Sequence, residues 1–586
     1  MKVLFLAPHA AIWVHAFPEA LFAESLAKNG HEIIYVTCDR EFSGYCIPMT
    51  AAGLLHDSPA VEKAGICTRC QHSAGTIKRN FGFRGNSIGN YLDADDRRQV
   101  AKLVGEVTRD NFLDLRVEGI TVGRFATYEL LLNRKKQSLE FTDGEWDEYA
   151  THLGNALRSL FACRRILEVE KPDRIVVYNS LYAVNHVACA LFESRGVPAY
   201  FLHAGGNLSR RMETLLVGRK DGVRLYERLL AFWPSVRHQP CSNDVLARVA
   251  DHFLELLRGQ HVYAYSAPKS KALRDLHAEF GIPAGRKLVV ATMSSPDERF
   301  AAQTINVMKG ATGRIFGSQA EWIRALCSWI AGRPDLHLVI RVHPREFPNK
   351  REKVTSEHAM ALAAIFDQLP PNAVVNWPGE NVSLYDLAGI TDVFLNAWSA
   401  AGKEMSMLGI PVVAYAPELL VYPPDLNYSA ASAQEYFERI DQALADGWSS
   451  ERMRAAFRWC AFEYERSVID IRESYSANVS KAKGRFLAIL ARVANRFVPR
   501  LWQTLDCKRR ARALAASATI NAVLERKCDT LLEVRNFAEP EVTPEEETVA
   551  IRLQAGRLAK IMYGSSRELT SSDKLGKHLF EFANGG

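Results

Sequence analysis

The stretch Val3-Leu-Phe-Leu-Ala7, followed by a segment from Pro18 to Asn29 and then by His31-Glu-Ile-Ile-Tyr-Val-Thr37, decides the fold. The first and third pieces are short apolar runs typical of buried strands, and the second spaces its alanines and leucines for one buried helical face. Gly30 ends that helix. A strand–helix–strand start predicts a parallel sheet with right-handed crossovers.

The same alternation continues along the chain. Further apolar runs predict strands at Arg174–Asn179, Ala199–His203, Lys287–Thr292, Leu336–Ile340, Ala373–Asn376, Asp392–Asn396 and Pro411–Tyr415. The pattern predicts an α/β protein with two Rossmann-like, doubly wound domains, at residues 1–275 and 276–433. A Cys-rich insertion at about 38–75 interrupts the first, and a helical extension, 434–586, follows the second. A ligand crevice is expected between the lobes, at the carboxyl ends of their strands.

Composition excludes several classes of protein. A chain of 586 residues, 48% hydrophobic and 24% charged, is a multidomain globular protein. A net charge of +6 is too small to indicate a nucleic-acid partner. The residues from Met1 to His9 read as a strand and not as a signal peptide, and no run of apolar residues is long enough to span a membrane. With 11 cysteines and no export signal, a cytoplasmic location is expected.

Two strand ends in the second half carry groups suited to phosphate. The strand Leu336–Ile340 leads into Arg341-Val-His343-Pro-Arg345, whose guanidinium and imidazole groups can hold a diphosphate or a leaving phosphate. The strand ending at Asn396 leads into a helix start with Ser399 and Gly402, an arrangement that favours an anion. Glu404, one turn further, is placed to accept hydrogen bonds from a ribose. The alternative for each segment alone is an ordinary strand end with capping residues.

Together these motifs resemble those of GT-B glycosyltransferases, in particular the bacterial transferases that make capsule, lipopolysaccharide and other surface polysaccharides of the cell envelope. The resemblance rests on Arg341–Pro344, Asn381-Val-Ser383-Leu-Tyr-Asp-Leu387 and Ser399–Glu404, within about a quarter of the chain. It implies that the second domain binds the nucleotide of a CMP-, CDP- or UDP-linked donor sugar. The implied binding residues are Ser294, Ser295, Arg341, His343, Arg345, Ser383, Ser399, Gly402 and Glu404. The short acidic base motif of bacterial sialyltransferases has no convincing equivalent here.

The resemblance also implies a mechanism in which a base in the first lobe removes a proton from an acceptor hydroxyl. His15 leads the candidates because such enzymes often place the base in an early loop, and Glu19 and His203 are the others. His343 and the basic groups of the second lobe would stabilise the departing nucleotide. Asn179 and Tyr182 are expected to orient a glycan or lipid-linked acceptor. Catalysis would need no cofactor.

Four cysteines in the insertion suggest a separate metal site. Cys67 and Cys70 have the spacing of a zinc knuckle, Cys38 and Cys46 complete a set of four thiols, and His72 is a spare ligand. The prediction is structural zinc. A redox pair would need a thioredoxin-like context, which the sequence lacks.

The segment 481–512 carries ten basic residues and one acid, interleaved with apolar residues at helical spacing. It predicts an amphipathic helix, interrupted at Pro499, that lies either on an anionic membrane surface or against the body of the protein. Residues past about Ser565 are expected to fray.

Two other functions fit the pattern. One is a sugar-nucleotide epimerase of the same two-lobed architecture, and the other is a non-enzymatic, membrane-associated scaffold that uses the basic segment. The long insertion in the first lobe and the basic segment favour transfer to a large or lipid-linked acceptor.

Overall fold

The computed structural model describes residues 1–259, 267–270, 274–310, 315–349, 353–475, 499–537, 541–570 and 572–585. Its strands are β1 (Lys2–Ala7), β2 (Glu32–Thr37), β3 (Arg174–Tyr178), β4 (Ala199–Ala204), β5 (Thr214–Arg219), β6 (Lys287–Thr292), β7 (Leu336–Arg341), β8 (Ala373–Asn376), β9 (Val393–Asn396), β10 (Val412–Ala414) and β11 (Ile469–Asp470). The helices of the first half are α1 (Trp13–Lys28), α2 (Ile47–Ala51), α3 (Ala60–Phe81), α4 (Ala94–Glu106), α5 (Val122–Phe125), α6 (Tyr128–Arg134), α7 (Asp143–Val169), α8 (Ala183–Ser194), α9 (Gly222–Val236), α10 (Asn243–Arg258) and α11 (Leu276–Glu279). Those of the second half are α12 (Asp297–Thr304), α13 (Gln319–Ala331), α14 (Glu357–Phe366), α15 (Leu384–Ile390), α16 (Ala401–Met407), α17 (Ala433–Asp446), α18 (Ser450–Ala461), α19 (Pro499–Arg509), α20 (Ser517–Glu525), α21 (Pro544–Tyr563) and α22 (Lys574–Ala583).

The first sheet has the strand order β11-β5-β4-β3-β1-β2. Strands β1 to β4 are parallel, with Phe5 of β1 opposite Tyr35 of β2 and Val176 of β3. Strands β5 and β11 run antiparallel at one edge and were not predicted from the sequence. Every residue of β3 is buried, as expected of a parallel strand with helices on both faces.

The second sheet is entirely parallel, in the order β10-β9-β6-β7-β8. In register, Thr292 of β6 lies between Arg341 of β7 and Asn396 of β9. The carboxyl ends of these three strands therefore form one edge. Two parallel sheets with helices between their strands confirm the predicted pair of Rossmann-like domains.

The chain returns to the first sheet after the second is complete. Helix α18 ends in a π-helical turn, Phe462–Arg466, and β11 then pairs with β5. The second sheet is thus connected back to the first by α18 and this turn. The domain boundaries at 275 and 433 remain predictions.

Only the second part of the predicted basic segment, from Pro499, can be described, because residues 481–498 lie outside the described part of the chain. From Pro499 the chain forms α19, which packs on the first lobe: Trp13 Nε1 donates to Asp506 Oδ2 at 2.7 Å, and Gln503 Nε2 to Ser73 Oγ at 2.9 Å. Of the two predicted placements, α19 therefore has the one in which the helix packs against the body of the protein.

The expectation of fraying past Ser565 is wrong for the final helix. Leu575, Leu579 and Phe582 of α22 are buried, so the apolar face of this helix orders the chain end. Among the described helices, none combines the length and apolar character that crossing a bilayer requires.

Candidate active site

The carboxyl ends of the two sheets meet through contacts between α6 and the segment after β7. Lys135, which ends α6 and is fully buried, donates from Nζ to Phe347 O at 2.9 Å and to Val354 O at 2.8 Å. Arg345 adds a longer bond to Leu132 O, at 3.4 Å. Because these contacts cross from one lobe to the other, they hold the predicted crevice together.

Aromatic and imidazole rings cluster on the first-lobe side. The ring of His15 stacks on Tyr178, with centroids 4.2 Å apart, and His203 lies 6.0 Å from the same ring. Burial, together with the charges of His203, His9 and Arg211, lowers the pKa of His15 to about 3. Burial lowers the pKa of His203 to about 4. Both imidazoles are therefore neutral at pH 7, as a base must be, although such low values make weak bases until a bound anion raises them.

Glu19 lies in the same region, and its pKa shifts in the opposite direction. It is buried, its Oε2 accepts a 3.4 Å hydrogen bond from Tyr35 Oη, and its Oε1 has no partner among the described residues. Burial raises the pKa of this carboxyl well above its usual range. The choice between His15 and Glu19 as the base remains a prediction. Both side chains line one small cavity with His9 and Asn185.

The two predicted acceptor residues lie at the end of β3. Asn179 has a positive φ of 61°, and its Oδ1 accepts from Leu181 N at 3.0 Å. A left-handed residue directly after a strand is often found at a functional site. The ring of Tyr182 meets His9 edge-on, with centroids 5.5 Å apart. The structure therefore brings Tyr182 beside the imidazole cluster.

Arg341 is the main cation on the second-lobe side. Its side chain is buried, and its NH1 donates to Asn376 Oδ1 and, at 3.0 Å, to Val382 O. Within the described part of the chain, no carboxylate lies within ion-pair distance of it. Burial lowers the pKa of the guanidinium to about 10, which leaves it charged at neutral pH. Its hydrogen-bond partners are neutral, and the carboxylates of Asp386 and Glu380 act on its charge only from beyond ion-pair distance. A buried cation without an ion-pair partner is costly unless an anion joins it.

His343 and Arg345 lie in the short turn that follows β7. His343 Nδ1 accepts from Arg345 N at 3.2 Å, which puts the proton of the neutral ring on Nε2. Burial and the positive charges of Arg345, Arg341 and Lys135 lower the pKa of His343 to about 3. The ring is therefore a neutral hydrogen-bond donor.

Arg345, by contrast, forms ion pairs with two carboxyl groups. Its NH1 lies 2.8 Å from Asp297 Oδ2 and 3.0 Å from Glu298 Oε1, and the guanidinium is buried. Of the two predicted arginines, Arg341 is therefore the one whose charge is not already paired with a carboxylate among the described residues, so it is the better candidate to bind a phosphate.

The hydroxyls of Ser294 and Ser295 fasten the loop after β6. Ser294 Oγ accepts from Trp398 N at 3.1 Å, which ties this loop to the end of β9. Ser295 Oγ lies 2.6 Å from Glu346 Oε1. Both hydroxyls thus fasten this loop to neighbouring segments, and their predicted contact with a nucleotide remains a prediction.

The turn after β9 is fastened internally in the same way. Ser399 Oγ donates to Asn396 Oδ1 at 3.0 Å. A Cβ added at Gly402 would lie 2.6 Å from Asn396 Nδ2 and closer still to Tyr422 Oη, so close packing alone requires a glycine here. Helix α16 has seven residues and no side-chain cap, which gives little support to an anion site at its start.

Glu404 and Ser383 meet at Tyr385. Glu404 Oε2 accepts from Tyr385 Oη at 2.9 Å, and burial raises the pKa of this carboxyl. Ser383 Oγ accepts from Tyr385 N at 3.3 Å and caps α15. The predicted ribose contact of Glu404 and nucleotide contact of Ser383 remain predictions.

Sequence reasoning missed the ion pair between Lys403 and Glu463. Lys403 Nζ lies 2.5 Å from Glu463 Oε2, both side chains are buried, and Tyr226 Oη donates to Glu463 Oε1 at 2.9 Å. The pair joins α16 to the π-helical turn and to α9 of the first lobe. No local signal could have revealed it, because its partners are 60 residues apart.

The four insertion cysteines are neighbours in the structure, close enough for their charges to interact, and the zinc site remains a prediction. Cys67 and Cys70 lie on α3, Cys70 Sγ accepts from Ala11 N at 3.2 Å, and Cys38 Sγ accepts from Phe42 N at 3.4 Å. Burial raises the pKa of Cys38 to about 12 and of Cys70 to about 11. In the described residues, which include Cys46 and His72, no group of three or more side chains is arranged to hold a metal ion. The zinc prediction gains no support from this arrangement.

No protein-family model matches the sequence, and no curated protein matches it significantly. Among solved structures, the chain is similar to a UDP-GlcNAc 2-epimerase from Neisseria meningitidis bound to UDP-GlcNAc, at 12% identity and a TM-score of 0.28, over 80% of this chain and 98% of that one. It is similar to a calicheamicin glycosyltransferase at 15% identity and a TM-score of 0.24, over 78% and 93%. A spinosyn rhamnosyltransferase complexed with thymidine diphosphate matches at 12% identity and a TM-score of 0.24, over 80% and 96%.

These neighbours are glycosyltransferases and a UDP-GlcNAc 2-epimerase. At such low identities and TM-scores, the likeness carries no conclusion about chemistry.

Proposed function

We propose that this protein is a glycosyltransferase that moves a sugar from a nucleotide-activated donor to the hydroxyl of a glycan or lipid-linked acceptor. The observation that carries the proposal is Arg341, a buried guanidinium at the crevice edge with neutral hydrogen-bond partners. A donor phosphate would supply the missing negative charge in a place where water is scarce and the attraction is strong.

In the proposed reaction, side chains of the two lobes have different roles. On the second lobe, Arg341 and the Nε2 proton of His343 would stabilise the charge that develops on the leaving phosphate. On the first lobe, neutral His15 would accept the proton of the acceptor hydroxyl, and the phosphate charge would raise its pKa toward a useful value. Tyr182, packed on His9, would position the acceptor.

The donor nucleotide is left open among CMP, CDP and UDP, and we place the acceptor in bacterial surface polysaccharide synthesis because of the motif resemblance alone. Peripheral contact with an anionic membrane would come from residues 481–498, which lie outside the described part of the chain. The Lys508, Arg509 and Arg512 side chains, exposed beside α19, would add to the same basic surface.

Removing the Arg341 charge tests the proposal. Arg341→Met should weaken nucleotide binding by about 2 kcal/mol, roughly 30-fold in Kd, because a charge-assisted hydrogen bond to the phosphate is lost. Thermal stabilisation across CMP, CDP, UDP, GDP and ADP would give both the preferred nucleotide and the loss.

Arg174 provides a matched control. It is also buried and donates to a carbonyl, Leu524 O at 3.0 Å. It lies at the amino-terminal end of β3, however, and so away from the carboxyl ends of the strands. Arg174→Met should lower the melting temperature and leave nucleotide affinity unchanged. Equal nucleotide affinity in wild type and a folded Arg341→Met variant would remove the basis of the proposal.

Product analysis with nucleotide sugars separates the proposed activity from its alternatives. Nucleotide release that requires an acceptor supports a transferase, and conversion of the donor without an acceptor would identify an epimerase. A protein that binds nucleotide sugars and does neither would be a scaffold.

A further inference from the structure

A polar cleft lies beside the imidazole cluster, on the other side of the loop between β1 and α1. It has a volume of about 320 Å³ and is walled by the end of β2, by α3 and by the segment from Gly85 to Asn90. We call it the β2 cleft. Its size is at the lower end of small-molecule sites, roughly 300–1,000 Å³, and suits a mono- or disaccharide.

The backbone around the β2 cleft has uncommon φ angles and one very close approach between two segments. Asp39 and Arg40, directly after β2, both have positive φ, 49° and 68°, although neither is glycine. Gly85 has φ 131° and lies so close to β2 that an added Cβ would be 2.5 Å from Tyr35 O. Strained residues at the carboxyl end of a strand tend to accompany a functional surface.

Three side chains of the β2 cleft have hydrogen-bonding capacity that the described protein does not use. Lys78 Nζ makes one bond, to Gly85 O at 2.9 Å, and Asp39 accepts one, at Oδ1 from Gln71 Nε2 at 2.7 Å. Asn90 uses its Oδ1 for Ser87, which leaves its amide protons. An ammonium, a carboxylate oxygen and an amide offer both donors and an acceptor.

This set of groups selects a class of ligand. One lysine and one aspartate balance in charge, which favours a neutral ligand over a phosphate. The cleft has no aromatic wall among its described residues, so a nucleobase would find no ring on which to stack. The β1–α1 loop is Pro8-His-Ala-Ala-Ile12, without the glycines that let a backbone approach a dinucleotide pyrophosphate. A polyhydroxyl compound, whose hydroxyls both donate and accept, fits the set.

We infer that the β2 cleft binds a saccharide unit of the acceptor, an inference that rests on the proposed function. Ala10 lines the cleft, and His9 and His15 line the small cavity on the other side of the same loop. Ala11 N donates to Cys70 Sγ at 3.2 Å, which fastens the loop to α3. An acceptor chain would present one hydroxyl to His15 and place a neighbouring sugar in the β2 cleft.

The β2 cleft contains its own reporters, Cys38 and Cys70, both partly exposed. The test is slow alkylation at alkaline pH, followed residue by residue by mass spectrometry, with and without methyl glycosides of glucose, galactose, mannose, N-acetylglucosamine and glucuronic acid and their disaccharides. At about ten times its Kd, a saccharide should slow alkylation of these thiols about tenfold by mass action.

Cys327 is the internal control. It lies on α13 of the second lobe, is partly exposed, and burial raises its pKa to about 11, the same value as for Cys70. Its alkylation rate should not change. Equal slowing at Cys327, or no slowing at Cys38 and Cys70 by any of the saccharides, would overturn the inference.

Variants connect the β2 cleft to catalysis. Lys78→Met and Asp39→Asn should each lose at least part of the protection and raise the KM for the acceptor several-fold, with nucleotide stabilisation unchanged. Glu62→Gln, exposed in the first turn of α3 and outside the cleft, is the matched control. Nucleotide binding without saccharide protection would refute the cleft and leave the proposed function standing. Saccharide protection without nucleotide binding would refute the proposed function, and with it the acceptor role of the cleft, and leave only a saccharide site.

Discussion

Substituting Gly402 with alanine distinguishes two roles for the glycine: close approach to a phosphate, as predicted from the motif, and close packing. An added Cβ would lie 2.6 Å from Asn396 Nδ2 and nearer to Tyr422 Oη, far inside the roughly 3.5–4.0 Å of a favourable contact. Neither neighbour can move easily. Tyr422 Oη donates to Asn427 Oδ1 at 2.7 Å and accepts from Asn396 Nδ2 at 2.9 Å, and all three side chains are buried.

Overpacking of this kind costs about 1–3 kcal/mol. For a lobe of this size each kcal/mol shifts the melting temperature by about 2–4 °C, so a loss of about 2 kcal/mol should lower it by about 4–8 °C. Thermal unfolding followed by circular dichroism, with and without the preferred nucleotide, measures the change in stability and the change in binding separately.

A second substitution tests the cause. Tyr422→Phe removes the nearest oxygen and should itself cost about 1–3 kcal/mol, because Asn427 Oδ1 loses a buried donor. The double variant, Gly402→Ala with Tyr422→Phe, should lose less than the sum of the two by more than about 0.5 kcal/mol. Additive losses would refute the packing argument. A Gly402→Ala protein that melts normally but binds no nucleotide would restore the phosphate-approach role.

Two further predictions concern buried charges. Lys403→Met leaves Glu463 buried without its cation and should lower the free energy of unfolding, measured by denaturant titration, by about 3–5 kcal/mol. Lys102→Met, which removes one partner of an exposed ion pair, should lower it by no more than about 1 kcal/mol. Similar losses in the two variants would contradict the role of burial. Burial raises the pKa of Asp297 from 3.8 to about 7, so the folded protein holds a proton that the unfolded chain releases. That contribution to stability is present in full below about pH 4 and is lost as the pH rises to 7. Asp297→Asn should therefore flatten the decline of melting temperature over this range, and an unchanged slope would exclude the raised pKa.

Much of the fold could be predicted from the sequence, because long strands and helices repeat a local pattern. Strands such as β1, β3 and β7 are mostly apolar runs, and their order along the chain implied parallel sheets. The antiparallel edge was missed. Strand β11 has two residues, too few for any periodicity, and exists because α18 returns the chain to β5.

The candidate site could be predicted only in outline. Arg341 and Arg345 lie four residues apart with similar surroundings in the sequence, yet one faces an amide and a carbonyl and the other two carboxylates. His343 was identified from the motif, but its tautomer follows from a hydrogen bond that only the turn geometry reveals. The β2 cleft was not anticipated, because its lysine, aspartate and asparagine belong to three different elements.

By itself, the sequence determined the α/β class, the two sheets and the strand ends that carry the candidate site residues, since hydrophobic periodicity is a local property of the chain. Only the tertiary structure decided which charges are compensated, which thiols are buried and where the chain end packs. Trp13 and Asp506 meet across 493 residues, and Lys403 meets Glu463 across 60. Such partners are chosen by the packing of whole elements, and the electrostatics of a site follow from the partners.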